Sequence, residues 1–202
     1  MSSVPPDFTG TMSTPQDMVW QYYQSLRRRV MGVTRETDEI IVRQDTATSI
    51  MLAVTVVEAF FNVFFRVLVS QANYSQHEAR LLEDIKKRKS LEYKLNHWFP
   101  DIVGKPLDFN APAPKAFGEL KTVRNKLMHF TSSHQTAHVA GMQIQGLPDT
   151  TVFHSLTATD ALNALATAEE MVSEVFRLIG YSAQEIPLHL QLWTGKVPLP
   201  PP

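Results

Sequence analysis

Apolar residues recur at helical spacing in five stretches of the chain. In residues 15–33, Trp20, Tyr23 and Val30 fall on one face, behind Thr14-Pro15-Gln16-Asp17, where Thr suits a cap and Pro the first turn. Residues 45–71 are apolar on most sides, contain no Pro or Gly and are too long for an ordinary strand, so the pattern predicts a central helix. Residues 75–98 predict a third helix with Glu83 and Lys87 one turn apart on an exposed side. Pro100, Gly104, Pro106, Pro112 and Pro114 then mark a loop.

A fourth helix is predicted over 114–130, with Phe117, Leu120, Val123, Leu127 and Phe130 facing the core. Residues 131–156 lose the helical period. Met142 and Ile144 alternate with Gln143 and Gln145, and Leu147-Pro148-Asp149 suits a turn, which predicts a small β-hairpin near 138–154. Thr157-Ala158-Thr159-Asp160 caps a fifth helix that stops at Gly180. The fold class expected is all-α, a bundle of about five helices over 15–182. A polar arm, 1–14, precedes it, and a Pro-rich tail, 183–202, follows, its Pro198-Leu199-Pro200-Pro201-Pro202 suited to polyproline II.

Composition changes this picture little. With 44% hydrophobic and 19% charged residues, the 202-residue chain reads as ordinary globular protein. The absence of cysteine excludes disulfides, thiolate catalysis and cysteine-ligated zinc, and suits a reducing cytoplasm. The start of the chain lacks a basic segment followed by an apolar run, so no secretory signal is read there. Residues 49–69 have the length of a membrane span. Glu58, Asn62 and Arg66 form a polar stripe inside them that would be costly in lipid, so they read as a core helix and no membrane partner is expected.

Charge matters through its distribution. The formal net charge is −1, yet residues 115–129 carry Lys115, Lys121, Arg124 and Lys126 against Glu119 alone. Residues 157–180 carry Asp160, Glu169, Glu170 and Glu174 against Arg177 alone. The basic segment would attract phosphate, which the overall charge conceals.

That basic segment contains Arg124-Asn125-Lys126-Leu127-Met128-His129. Asn125 and His129, four apart, share a helix face, whereas Arg124 lies about 140° from His129. Arg124 brings a permanent planar cation that matches phosphate oxygens. His129 can move a proton near neutral pH, and Asn125 can orient a hydroxyl or phosphate oxygen. These groups suffice in principle for RNA cleavage without metal. A base takes the 2′-hydroxyl proton, the oxygen attacks phosphorus, and a cation stabilises the developing charge. Lys121 and Lys126 are the candidate RNA-binding cations.

Arg-Asn-x-x-x-His on a late helix, after a long apolar helix containing Glu58-Ala59-Phe60-Phe61-Asn62, resembles the HEPN superfamily. The resemblance covers roughly residues 45–180. It implies a helical bundle that dimerises so that two motifs face one cleft, and a metal-independent endoribonuclease of toxin–antitoxin, phage-defence or RNA-processing systems. It implies catalytic roles for Arg124, His129 and Asn125, with Glu58 and Asn62 in support. The partners implied are RNA, a second copy of the chain and an antitoxin or inhibitor protein.

Two other readings stand beside this one. The same fold can serve as a non-catalytic module that binds a protein partner or nucleotide, and Arg124 and His129 can merely brace the bundle. His134, His138 and His154 invite a metal reading, but no carboxylate accompanies them at ligand spacing, so neither metal nor other cofactor is expected.

Overall fold

The computed structural model describes residues 16–69, 71, 76–129, 135–147 and 150–195, with the backbone alone for His129 and for most of a short hairpin. Within them the fold is all-α with one small hairpin. The helices are α1 (Asp17–Val33), α2 (Glu39–Val69), α3 (Glu78–Lys86), α4 (Leu91–Val103), α5 (Pro112–His129), α6 (Thr151–His154), α7 (Ala158–Ile179) and α8 (Ile186–Thr194). Strands β1 (Gln135–Val139) and β2 (Met142–Leu147) pair antiparallel.

The 31-residue α2 is the axis of the core. Its length and composition would also allow it to cross a membrane, and half of its most apolar window is buried inside the fold. α1 and α7 pack along it, with α5 beside α7 and α4 on another side. α1 buries Val19, Tyr23, Leu26, Val30 and Val33, a stripe at alternating four- and three-residue spacing. α7 presents Ala161, Ala164 and Ala168, whose small side chains let it lie close to α2. Phe60, Phe61, Phe64 and Phe65 of α2 form an aromatic stack that Trp98, Phe99, Phe176 and Trp193 extend in edge contacts.

The structure departs from the sequence expectations at five places. α2 begins at Glu39, earlier than residue 45, because Asp38 Oδ1 accepts the Ile40 N–H at 2.8 Å and so starts the helix. The third stretch divides into α3 and α4. Arg88 takes φ 52°, and Lys89 N–H bonds back to Asp84 O at 3.1 Å, a left-handed helix stop built without glycine. α4 then starts at Ser90, whose Oγ accepts the Tyr93 N–H, and it runs through Pro100 rather than ending before it. Burial of Phe99 and Ile102 on both sides of the proline offsets the one hydrogen bond it removes.

The hairpin lies earlier than 138–154. Ala140 and Gly141, at φ 47° and 82°, make a two-residue turn that pairs Val139 with Met142, and residues 151–154 are helical instead. The turn expected at Leu147-Pro148-Asp149 falls partly outside the described residues.

The fifth departure is α8, inside the expected 183–202 tail. Ser182 donates its backbone N–H and its hydroxyl to Glu185 Oε2 at 2.8 and 2.7 Å, which lowers the Glu185 pKa and opens the helix. Trp193 then reaches Phe60, with ring centroids 5.0 Å apart. On α1, Trp20 Nε1 donates to Leu192 O at 2.7 Å and Gln24 Nε2 to Gly195 O at 2.7 Å, so two α1 side chains bond the carbonyls at the end of α8. The Pro198–Pro202 polyproline expectation lies outside the described residues.

Candidate functional site

Glu58 and Asn62 stand one turn apart on α2, and each holds a cation from a different helix. Arg124 Nη2 of α5 donates to Glu58 Oε1 at 3.1 Å. Lys94 Nζ of α4 donates to Asn62 Oδ1. Of the two supporting residues suggested by sequence, Glu58 therefore meets the motif helix, whereas Asn62 meets α4. The Arg124 side chain is 23% exposed and that of Glu58 36%, so the pair lies at the edge of the core and remains in contact with water.

Lys94 joins the site although the sequence pattern did not single it out. It is 9% exposed, lies 5.4 Å from the Trp98 ring centroid, and extends the polar seam towards Asp84, which accepts the Trp98 Nε1–H at 2.8 Å. Burial lowers the Lys94 pKa, while the negative charges of Glu58 and Asp84 oppose that shift. Glu58 thus acts electrostatically on two cations, one by direct contact and one at longer range. The signal for Lys94 was its spacing with Leu91, Leu95 and Trp98, which puts a cation on the apolar face of α4.

On the neighbouring face of α5, a cleft of about 330 Å³ opens towards α4. Leu91, Leu95, Phe117 and Met171 form its apolar wall, Phe109 stands at its edge, and Glu92, Lys121 and Asn125 supply its polar groups. Thr122 also lines it, but its hydroxyl donates to Gly118 O within the helix at 3.0 Å. Among the described residues, the side chains of Glu92, Lys121 and Asn125 make no hydrogen bond or ion pair.

α5 therefore sorts the motif onto two faces. Arg124 turns to Glu58 and the core, Asn125 to the cleft. Lys126 is exposed. His129 is the last residue of α5, one turn beyond Asn125 on the same face by spacing, about 6 Å further along the axis. Phe117 and Leu127 are buried, as a core-facing stripe requires, and Phe130 lies outside the described residues. Of the acidic residues of α7, Arg177 bonds Glu170 at 2.9 Å and Glu174 at 2.6 Å, Glu169 accepts from Tyr23, and Asp160 caps the helix at Thr157.

No family model, no curated protein and no solved structure matches the chain. Functional inference accordingly rests on the fold and on these side chains.

Proposed function

We propose that the chain is a metal-independent endoribonuclease of HEPN type. It acts as a cytoplasmic homodimer in a toxin–antitoxin or phage-defence setting, with an antitoxin or inhibitor protein as its counterpart. The observation that carries this reading is the Glu58–Arg124 pair, 3.1 Å across two helices, which fixes the motif arginine at the rim of the core. A guanidinium has five N–H donors, so one engaged by Glu58 leaves others for a phosphate. In this reading His129 takes the 2′-hydroxyl proton, the 2′-oxygen bonds phosphorus as the bond to the 5′-oxygen breaks, and the leaving 5′-oxygen takes a proton from water or from the protonated His129; Arg124 stabilises charge on the phosphate, Asn125 positions the RNA and Lys121 and Lys126 bind the strand.

Dimerisation answers a geometric problem. Arg124 and Asn125 leave α5 in different directions, so one copy gathers few catalytic groups at one point. A two-fold arrangement brings a second set to the same cleft.

A second reading is favoured by the engagement of Arg124 with Glu58 and by the largely apolar wall beside Asn125: a non-catalytic module that binds a nucleotide or a protein partner. Incubation of purified protein with single-stranded RNA in EDTA separates the two. The ribonuclease reading expects cleavage that Arg124→Ala and His129→Ala each slow by about a hundredfold or more. Binding without cleavage across a total-RNA mixture would support the module instead.

A further inference from the structure

We infer that the cleft between α4 and α5 is a subsite for one unpaired, amino-bearing nucleobase of single-stranded RNA, stacked on Phe109 and read at its edge by Glu92 and Asn125. This inference takes the nucleic-acid ligand from the ribonuclease reading, and concerns recognition, not the cleavage step.

Phe109 lies in the loop between α4 and α5. Among the described residues Phe109 is the one phenylalanine that stands exposed, at 43%, and it does so while lining a concave site. Its turn is held in place, because Asp108 Oδ1 accepts the Asn110 N–H at 2.9 Å and Asp108 O the Ala111 N–H at 3.1 Å. An exposed aromatic ring on a braced turn can serve as a stacking platform for an unstacked base. Leu91, Leu95 and Phe117 offer apolar surface deeper in the cleft. At about 330 Å³ the cleft sits at the small end of ligand sites, a size for one nucleotide unit and not for a duplex.

Glu92, Lys121 and Asn125 make no side-chain hydrogen bond or ion pair among the described residues and so can face a ligand. Glu92 offers only acceptors when ionised, Asn125 a carbonyl and an amide, and Lys121 a cation for phosphate. A carboxylate facing the base edge accepts from an exocyclic amino group, and an asparagine suits an adenine edge with its paired donor and acceptor. Uracil presents carbonyl oxygens where adenine and cytosine present their amino groups, so Glu92 disfavours it.

Lys121, Asn125 and His129 succeed one another at four-residue spacing on α5, so the helix face that lines the cleft continues to the end of the helix, where the motif histidine stands.

The test uses the full chain and fluorescently labelled 2′-O-methyl oligoadenylate and oligouridylate, which lack the nucleophilic hydroxyl and stay intact. Fluorescence anisotropy measures binding at fixed salt. Wild type is expected to bind oligoadenylate at least about fivefold more tightly than oligouridylate. Phe109→Ala is expected to weaken oligoadenylate binding at least about fivefold, with Phe109→Trp restoring it. Glu92→Ala, at an exposed position, is expected to remove the preference for adenine. Equal affinity for the two oligomers, no binding of either, or unchanged binding by Phe109→Ala would each overturn the subsite. Loss of cleavage by wild type would refute the ribonuclease reading while leaving these binding results intact.

Discussion

Glu58 and Arg124, separated by 66 positions in the chain, meet side chain to side chain where α2 crosses α5. The pair is partly exposed, so its part in stability is small and its part in geometry is large. Under the proposed ribonuclease reading, Glu58→Ala should lower cleavage by about ten- to a hundredfold, through kcat more than KM, because a displaced guanidinium would misplace the group proposed to stabilise charge. Glu58→Gln should restore part of the loss. A double-mutant cycle with Arg124→Ala, read by urea denaturation, should give a coupling of no more than about 1 kcal/mol. A Glu58→Ala enzyme of full activity would remove the carboxylate from the site.

Tyr23 makes stability depend on alkaline pH. It is buried on α1 and donates its hydroxyl to Glu169 of α7. Burial, and then the Glu169 hydrogen bond and charge, push its pKa far above the usual 10.0. Above pH 10.0 the unfolded chain releases the phenol proton while the folded chain keeps it, so stability falls as pH rises. Urea midpoints should decline above that pH in wild type and decline less in Tyr23→Phe. Parallel profiles would contradict the assignment.

α8 is part of the core. Trp193, packed edge-on against Phe60 and near Phe64, should cost about 3–5 kcal/mol when replaced by alanine. Thermal denaturation checks this, and a loss below about 1 kcal/mol would mean that α8 is only loosely attached.

Much of this fold can be read in the pattern of side chains. The Thr157–Asp160 cap, the all-round apolarity of α2 and the spacing on α1 each lead to the element observed. The break between α3 and α4 cannot be read that way, because Arg88 adopts a backbone shape that usually announces itself as glycine. α8 leaves two signals in the sequence, the Ser182-x-x-Glu185 capping signature and Pro187 in the first turn, but at nine residues its period is too short to stand out beside the proline-rich end.

The candidate site divides in the same manner. Spacing alone separates Arg124 from Asn125 and His129 on α5, and a carboxylate in an apolar helix calls for a partner. Which helix supplies that partner is a matter of tertiary packing. Asn62 illustrates the limit, since the same reasoning directs it to the motif, whereas it accepts from Lys94. Phe109, in a loop with no periodicity, gave no signal at all.

The most direct test of the central claim is mass spectrometry of the RNA ends produced in EDTA. Attack by the 2′-hydroxyl leaves a 2′,3′-cyclic phosphate, so wild type should release fragments with that terminus, and Arg124→Ala and His129→Ala should release them about a hundredfold more slowly or not at all. Fragments ending in a 3′-hydroxyl, or cyclic-phosphate ends released by both variants at the wild-type rate, would contradict the account.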